Sequence, residues 1–228
     1  MDRDTTDCSP LPVTVLWSPE DWRASWSRAV VGSNPRALLV EYDATSIGNG
    51  QCVRRTTAGD GRQRRETVPN PRHCLACLLR DDLLPHLARL VEQGRCDALA
   101  CVIPSPLELL DLLTLLPDAR LDGRPVSSLV DFGDAVVVLD AACLSRAVPV
   151  SRGPDLLPGS LFRQVVAADV VAIDGPFDAS QQARVRALIG RCNPAAWQLQ
   201  IDGAHGVRVV GGPSSRNYER GSRASMPR

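Results

Sequence analysis

The sequence predicts an α/β fold in three layers, a mostly parallel sheet with helices on both faces. Three observations predict it. Strand-like and helix-like segments alternate along almost the whole chain. The strand-like segments are continuous apolar runs, as expected where both faces of a sheet are covered. The helix-like segments carry end signals, with Ser-Pro starts and Gly or Asn-Pro stops.

The elements follow in order. Residues 12–16, PVTVL, read as a buried strand. A helix is predicted next, over SPEDWRASWSRAVVG. Ser18 suits its cap, Pro19 its first position, and Trp22, Trp26, Ala29 and Val30 form its apolar stripe. Residues 36–43, RALLVEYD, are a second strand, apolar until Glu41 and Asp43. Residues 44–70 change character: Gly, Thr and Arg alternate, and Arg54, Arg55, Arg62, Arg64 and Arg65 cluster around AGDG. A β-hairpin with a basic tip and a solvated loop both fit.

Leu79, Leu83, Leu84, Leu87, Leu90 and Val91 then keep a helical period up to Gly94. Pro85 is compatible with that helix if its first turn begins near Asp81 or Asp82. CDALACVIP (96–104) is a buried strand, SPLELLDLLTLL (105–116) a helix, and GDAVVVLDAA (133–142) the clearest strand of the chain. SLFRQVVAA predicts a helix, DVVAID a strand, and ASQQARVRALIGRCNP a helix stopped by Asn193-Pro194. AWQLQID and HGVRVVGG pair as edge strands or add one more strand. The Gly/Ser/Arg-rich residues 211–228 read as a disordered tail and residues 1–11 as a leader, leaving one domain over 12–210.

Composition excludes several functions. Formal net charge is zero, so no strong field directs the whole molecule to nucleic acid or membrane. No apolar run is long enough to span a membrane, and MDRDTTDCSP lacks the apolar core of a signal peptide, so a cytoplasmic protein is expected. All 26 basic residues are arginine, with no lysine at all. A phosphate-binding loop of the G-x-x-x-x-G-K-[ST] type is therefore excluded. In open α/β sheets ligands gather beyond the carboxyl ends of the strands. Glu41, Asp43, Asp140 and Asp174 are the acids placed there, as cleft residues or as caps and solvated loop residues.

Eight cysteines in a cytoplasmic chain mean thiols or metal ligands before disulfides. Cys74 and Cys77 form a C-x-x-C, open to three readings: a zinc grip, a redox pair, or two small buried residues. Zinc needs four ligands, or three and water, so a further ligand must come from elsewhere. Glu41 is the first candidate, with Cys52 and His86 behind it. His73 is adjacent to Cys74, too close in sequence to share one ion comfortably. Cys96, Cys101 and Cys143 flank or enter strands, Cys192 ends a helix, and Cys8 lies in the leader.

The order of these segments resembles the nucleotide-binding domain of the CobW-type GTPases, the metallochaperone relatives of HypB and UreG. RHCLACLLRDDLLPHLARL resembles the family segment GCxCC-x-LRxDLL-x-L-x-x-L. LLVEYDATSIG resembles its VNEFGE strand, DAVVVLDAA the strand ending in VDA, LFRQVVAADVVAIDGPFD the QIxxADxxxxNKxDL segment, and VRALIGRCNPAA the helix ending in LNPxA. The matches keep one order over residues 12–196. The departures are specific. WSPEDWRASWSRAV stands where the family carries GxxGxGKTT, AIDG stands for the guanine-reading NKxD, and Ala76 stands in place of the middle cysteine.

The resemblance implies a P-loop-NTPase-like fold without a P-loop and without GTP hydrolysis. It resembles most a subgroup of actinobacterial CobW-like proteins linked to zinc starvation and zinc-free ribosomes. It implies zinc as cofactor, held by Cys74 and Cys77 directly and by Glu41 through the Glu of NEFGE, and no GTP. A ribosome-associated or other protein partner is the alternative, with the metal motif vestigial and the arginines of 54–65 meeting phosphate.

Overall fold

The computed structural model describes residues 10–18, 34–103, 107–115, 119–147, 157–202 and 206–212. The helix predicted over 18–32 apart from Ser18, the leader up to residue 9 and the tail from residue 213 lie outside them, while Leu11 and Gly211 belong to strands. Six strands form a parallel core: β1 (Leu11–Trp17), β2 (Ala37–Asp43), β5 (Ala98–Ile103), β8 (Val130–Asp140), β9 (Val170–Asp174) and β10 (Trp197–Asp202). β3 (Gln51–Ala58) and β4 (Gln63–Pro69) extend one edge antiparallel, and β11 (Gly206–Gly211) the other. The nine-stranded order is β11-β10-β9-β8-β1-β5-β2-β3-β4. A short ribbon of β6 (Arg120–Leu121) and β7 (Arg124–Pro125) stands apart.

The hairpin reading of residues 44–70 is the correct one. β2 pairs with β3 from Leu38↔Ala58 to Asp43↔Val53, and β3 with β4 from Gln51↔Pro69 to Thr57↔Gln63. The tip is pinned where Gly59 N–H donates to the Ala37 carbonyl at 3.1 Å. A Cβ on Gly59 would collide with the backbone of Asn34 and Pro35, so this contact requires glycine.

The sheet buries side chains on both faces. Val40, Tyr42, Val137, Val171 and Ile173 join the larger apolar cluster with Leu78, Leu83 and Leu87. Leu39, Ala100, Val102, Val138 and Ala172 fill the other face. Each fully buried Val, Leu or Ile side chain contributes about 1.5–3 kcal/mol, so the apolar strand runs are what hold the sheet against the helices packed on it.

One helix prediction is corrected. The helical segment begins at Leu75, not near Asp81. α1 (Leu75–Leu78) leads through a π-helical turn (Leu79–Leu83) into α2 (Leu84–Glu92) without a break. The widened turn sits just ahead of Pro85, where a missing N–H and a ring clash would otherwise break the ladder. The remaining α-helices among the described residues are α3 (Leu109–Leu115), α4 (Ala141–Ala147), α5 (Gly159–Ala167) and α6 (Ala179–Cys192). α6 opens on a capping box: Asp178 accepts from the Ser180 and Gln181 backbones, and the Gln181 side chain accepts from the Asp178 N–H. Among the described residues no helix is long and apolar enough to cross a membrane.

Candidate metal centre

The cysteine pair is delivered by a turn built on Asn70. β4 ends at Pro69, and the Asn70 N–H donates to the Gly50 carbonyl at 2.7 Å. The buried Asn70 side chain then closes the turn from inside. Its Nδ2 donates to the Cys74 carbonyl at 3.2 Å, and its Oδ1 accepts the Cys74 N–H at 3.4 Å. His73 takes a left-handed φ of 50°, uncommon outside glycine. Its N–H donates to the Asn70 carbonyl at 2.9 Å, and its Nδ1 lies 2.8 Å from the Ile47 carbonyl. Both contacts tie His73 to the turn.

Cys74 caps α1. Its backbone is extended, and its Sγ accepts the Cys77 N–H at 3.1 Å. A sulfur in this place meets the positive end of the peptide dipoles and N–H groups with no helical partner. The two thiols titrate apart. A hydrogen bond from the Cys77 thiol, then the N–H groups of Cys77 and Ala76 and the charge of Arg80, hold Cys74 below the ordinary thiol range. Cys77 is pushed up, first because its proton is engaged by Cys74 and further by desolvation, with Arg72 opposing. Of the two, Cys74 is therefore the thiol that gives up its proton first.

Neighbouring acids are already committed. Cys77 opens on a cavity of about 270 Å³ that also meets Arg72, Asp81 and Asp82. Asp81 takes the Arg80 Nε at 2.8 Å and faces Arg72 at 4.0 Å. Asp82 accepts the Tyr42 hydroxyl at 2.7 Å and Arg54 at 2.6 Å. Burial, followed by the Asp82 charge, raises the Tyr42 pKa, so the phenol stays protonated and donates.

The structure brings Cys74 and Cys77 together but does not bring Glu41 to them. Val40 and Tyr42 join the cluster that contains Leu78 of α1, whereas Leu39 joins the opposite one. Successive strand residues point to opposite faces, so Glu41 lies on the Leu39 face, across the sheet from the cysteines. There its carboxylate sits 3.7 Å from Arg55, its cross-strand partner. Cys52 is fully buried under Asn70, whose Nδ2 is 4.0 Å from its sulfur, and burial raises its pKa. His86 is a turn and more beyond, in α2 under the β3–β4 hairpin. Among the described residues, no three His, Cys, Asp or Glu side chains converge to hold a metal ion. Among the described residues the pair therefore offers two sulfur donors, and zinc would need its remaining ligands from elsewhere.

Of the other strand-end acids, Asp140 and Asp174 are register partners at the carboxyl ends of β8 and β9. Asp43 caps a turn, accepting the Thr45 N–H at 3.0 Å and its hydroxyl at 2.7 Å. The residue that sequence reasoning missed is Asn70. The Asn70-Pro71 dipeptide was its one available signal, since Asn before Pro favours turn initiation.

No family model and no curated protein matches the chain. Two solved structures do. The Zn(II)-bound YjiA GTPase of E. coli aligns over 87% of this chain at a TM-score of 0.53 and 14% identity. A Zn(II)-bound triple mutant of YjiA, with a glutamate and two cysteines replaced by alanine, aligns over 87% at a TM-score of 0.55 and 13% identity. This chain shares the fold of the YjiA GTPase. The mostly parallel α/β sheet with helices predicted from the alternation of strand and helix segments is the architecture found. The chain spans 59% of the length of either YjiA structure.

Proposed function

We propose that the chain is a CobW-like protein without GTPase activity that binds or senses zinc through Cys74 and Cys77. The observation that carries this reading is the placement of both sulfurs on one turn. Cys74 is the N-cap residue whose Sγ accepts the Cys77 N–H at 3.1 Å, and Cys77 opens on the adjoining cavity. The Zn(II) bound to the structurally similar YjiA supports the same choice of metal. The absence of lysine from the sequence supports the lack of GTP hydrolysis, because arginine's planar fork does not replace the compact ammonium of a phosphate loop.

A two-sulfur site completed from outside suits transfer or sensing in zinc homeostasis, in a cytoplasm that keeps thiols reduced. Binding would order the 70–78 turn, because metal affinity becomes local folding energy. Glu41 belongs to the site only if the carboxyl end of β2 rearranges on loading.

Zinc titration of the reduced wild type, Cys74→Ser, Cys77→Ser and Glu41→Gln tests this. Each serine variant should lose about tenfold or more in affinity, the scale of a lost ligand interaction. Glu41→Gln should bind as the wild type does. Equal affinity in the wild type and both serine variants would remove the site.

A further inference from the structure

Away from the cysteines, an open groove of about 740 Å³ runs between the β3–β4 hairpin and α2. Its walls carry Arg54, Arg62, Arg64, Arg89 and Arg95, and its floor is apolar at Leu38, Ala58 and Leu90. Register explains the collection. Arg54 opposes Glu66 and Thr56 opposes Arg64, so alternate residues of both hairpin strands project to this face. Arg89 and Arg95 come from the last turn of α2 and the loop beyond it.

The charges do not cancel. Arg54 is paired with Asp82 and Glu66, Arg62 with Asp60, and Arg64 with Glu66. Arg89 gives its Nε to the Pro85 carbonyl at 3.3 Å. Five arginines thus stand against three carboxylates, and those of Arg89 and Arg95 have no carboxylate partner among the described residues.

Two buried nitrogens beneath the groove are unspent as well. His86 is only 9% exposed and lines the groove, yet its Nε2 has no hydrogen-bond partner. Arg54 is 4% exposed, and its Nε also lacks one. An unmade buried hydrogen bond is costly, and an anionic oxygen beside Arg54 Nε–H, or beside His86 in its Nε2–H form, would relieve it.

We propose that this groove binds a compact oligophosphate, with Arg89 and Arg95 gripping its phosphates above His86 and Arg54. Guanidinium forks match phosphate oxygens in pairs, and the volume is that of a small-molecule site, not of an extended nucleic-acid track. The apolar floor leaves room for an organic group attached to the phosphates. This inference does not rest on the zinc reading, because none of the lining residues belongs to the cysteine turn.

Calorimetry with inorganic tripolyphosphate and with ATP, on the full chain without added metal, tests it. Arg89 and Arg95 are exposed, so Arg89→Ala and Arg95→Ala should fold normally. Each should weaken tripolyphosphate about tenfold, the scale of one lost charge-assisted hydrogen bond. The His86 resonance should shift on binding in the wild type. Tighter binding of ATP would show that the attached group is read, and equal binding that phosphates alone are; both support the site. No binding, binding indifferent to both arginines, or a single-stranded RNA bound more tightly than either probe would overturn it.

Discussion

Arg54 of β3 meets Asp82 of the π turn at 2.6 Å, with the two side chains only 5% and 16% exposed. This pair is the main polar bolt between the edge hairpin and the helix that carries the cysteine motif. Tyr42 and Glu66 complete it, through hydrogen bonds of 2.7 and 2.8 Å. Removing one buried partner leaves the other charge uncompensated. Asp82→Asn is therefore expected to cost about 3 kcal/mol in urea unfolding. Replacing both, as Arg54→Met with Asp82→Leu, should recover most of that loss, since desolvation largely offsets the attraction. A double variant no more stable than Asp82→Asn would show that the pair is not the bolt.

His86 makes stability fall on mild acidification. Burial first, and the charge of Arg54 next, lower its pKa from 6.5 to about 4, while Asp82 and Glu66 pull the other way. The folded state thus resists a proton that the unfolded chain accepts. Stability is complete above pH 6.5 and declines as pH falls toward 4, by at most about 3 kcal/mol. Glu66, whose pKa is lowered chiefly by Arg54, adds its own loss only further into acid. Denaturation midpoints of His86→Gln should be nearly flat between pH 6.5 and 4.5, where the wild type slopes. Parallel slopes would assign the effect elsewhere.

Thiol reactivity should follow the local fields. At pH 7, iodoacetamide is expected to label Cys74 first, because the thiolate is the nucleophile. Cys101, buried in β5 and pushed up to about 12, should label only on unfolding. Cys77→Ala removes the hydrogen bond that favours the Cys74 thiolate, so it should slow Cys74 labelling. Site-resolved mass spectrometry reads all three, and Cys77 labelling ahead of Cys74 would reverse the proposed order.

The strands were legible because their signal is local and strong. GDAVVVLDAA and CDALACVIP carry the continuous apolar runs AVVVL and ALACVI, and a run that is apolar on both faces has few places to lie except mid-sheet. The C-x-x-C was equally visible, but not that the helix starts at Leu75 and so contains Cys77. The position of Glu41 was not. Whether a strand-end acid faces the helix of one layer or the other depends on which face each parity of the strand covers. Only packing settles that, here through Tyr42 on Asp82. The π turn was hidden for a related reason. Pro85 announces an interruption but not its form, and a break or a widened turn fits the same residues.

Asn193 offers the sharpest test of a single side chain. It ends α6 just before Pro194, and its Nδ2 lies 2.9, 3.2 and 2.8 Å from the carbonyls of Val165, Val166 and Ala168. These are carbonyls at the end of α5, where the helix can supply no acceptor with its usual N–H partner. Its Oδ1 accepts the N–H groups of Ala195 and Ala196, both at 3.1 Å, and so fixes the entry to β10. One amide thereby joins α5, α6 and β10, and neither a carboxylate nor a methyl can do the same. Asn193→Ala leaves both sets of backbone groups without this partner and should cost about 2–3 kcal/mol. Asn193→Asp keeps the acceptor but turns a negative oxygen toward three carbonyls, so it should be at least as unstable. If Asn193→Asp proved as stable as the wild type in thermal unfolding, the donor half of this amide would contribute nothing.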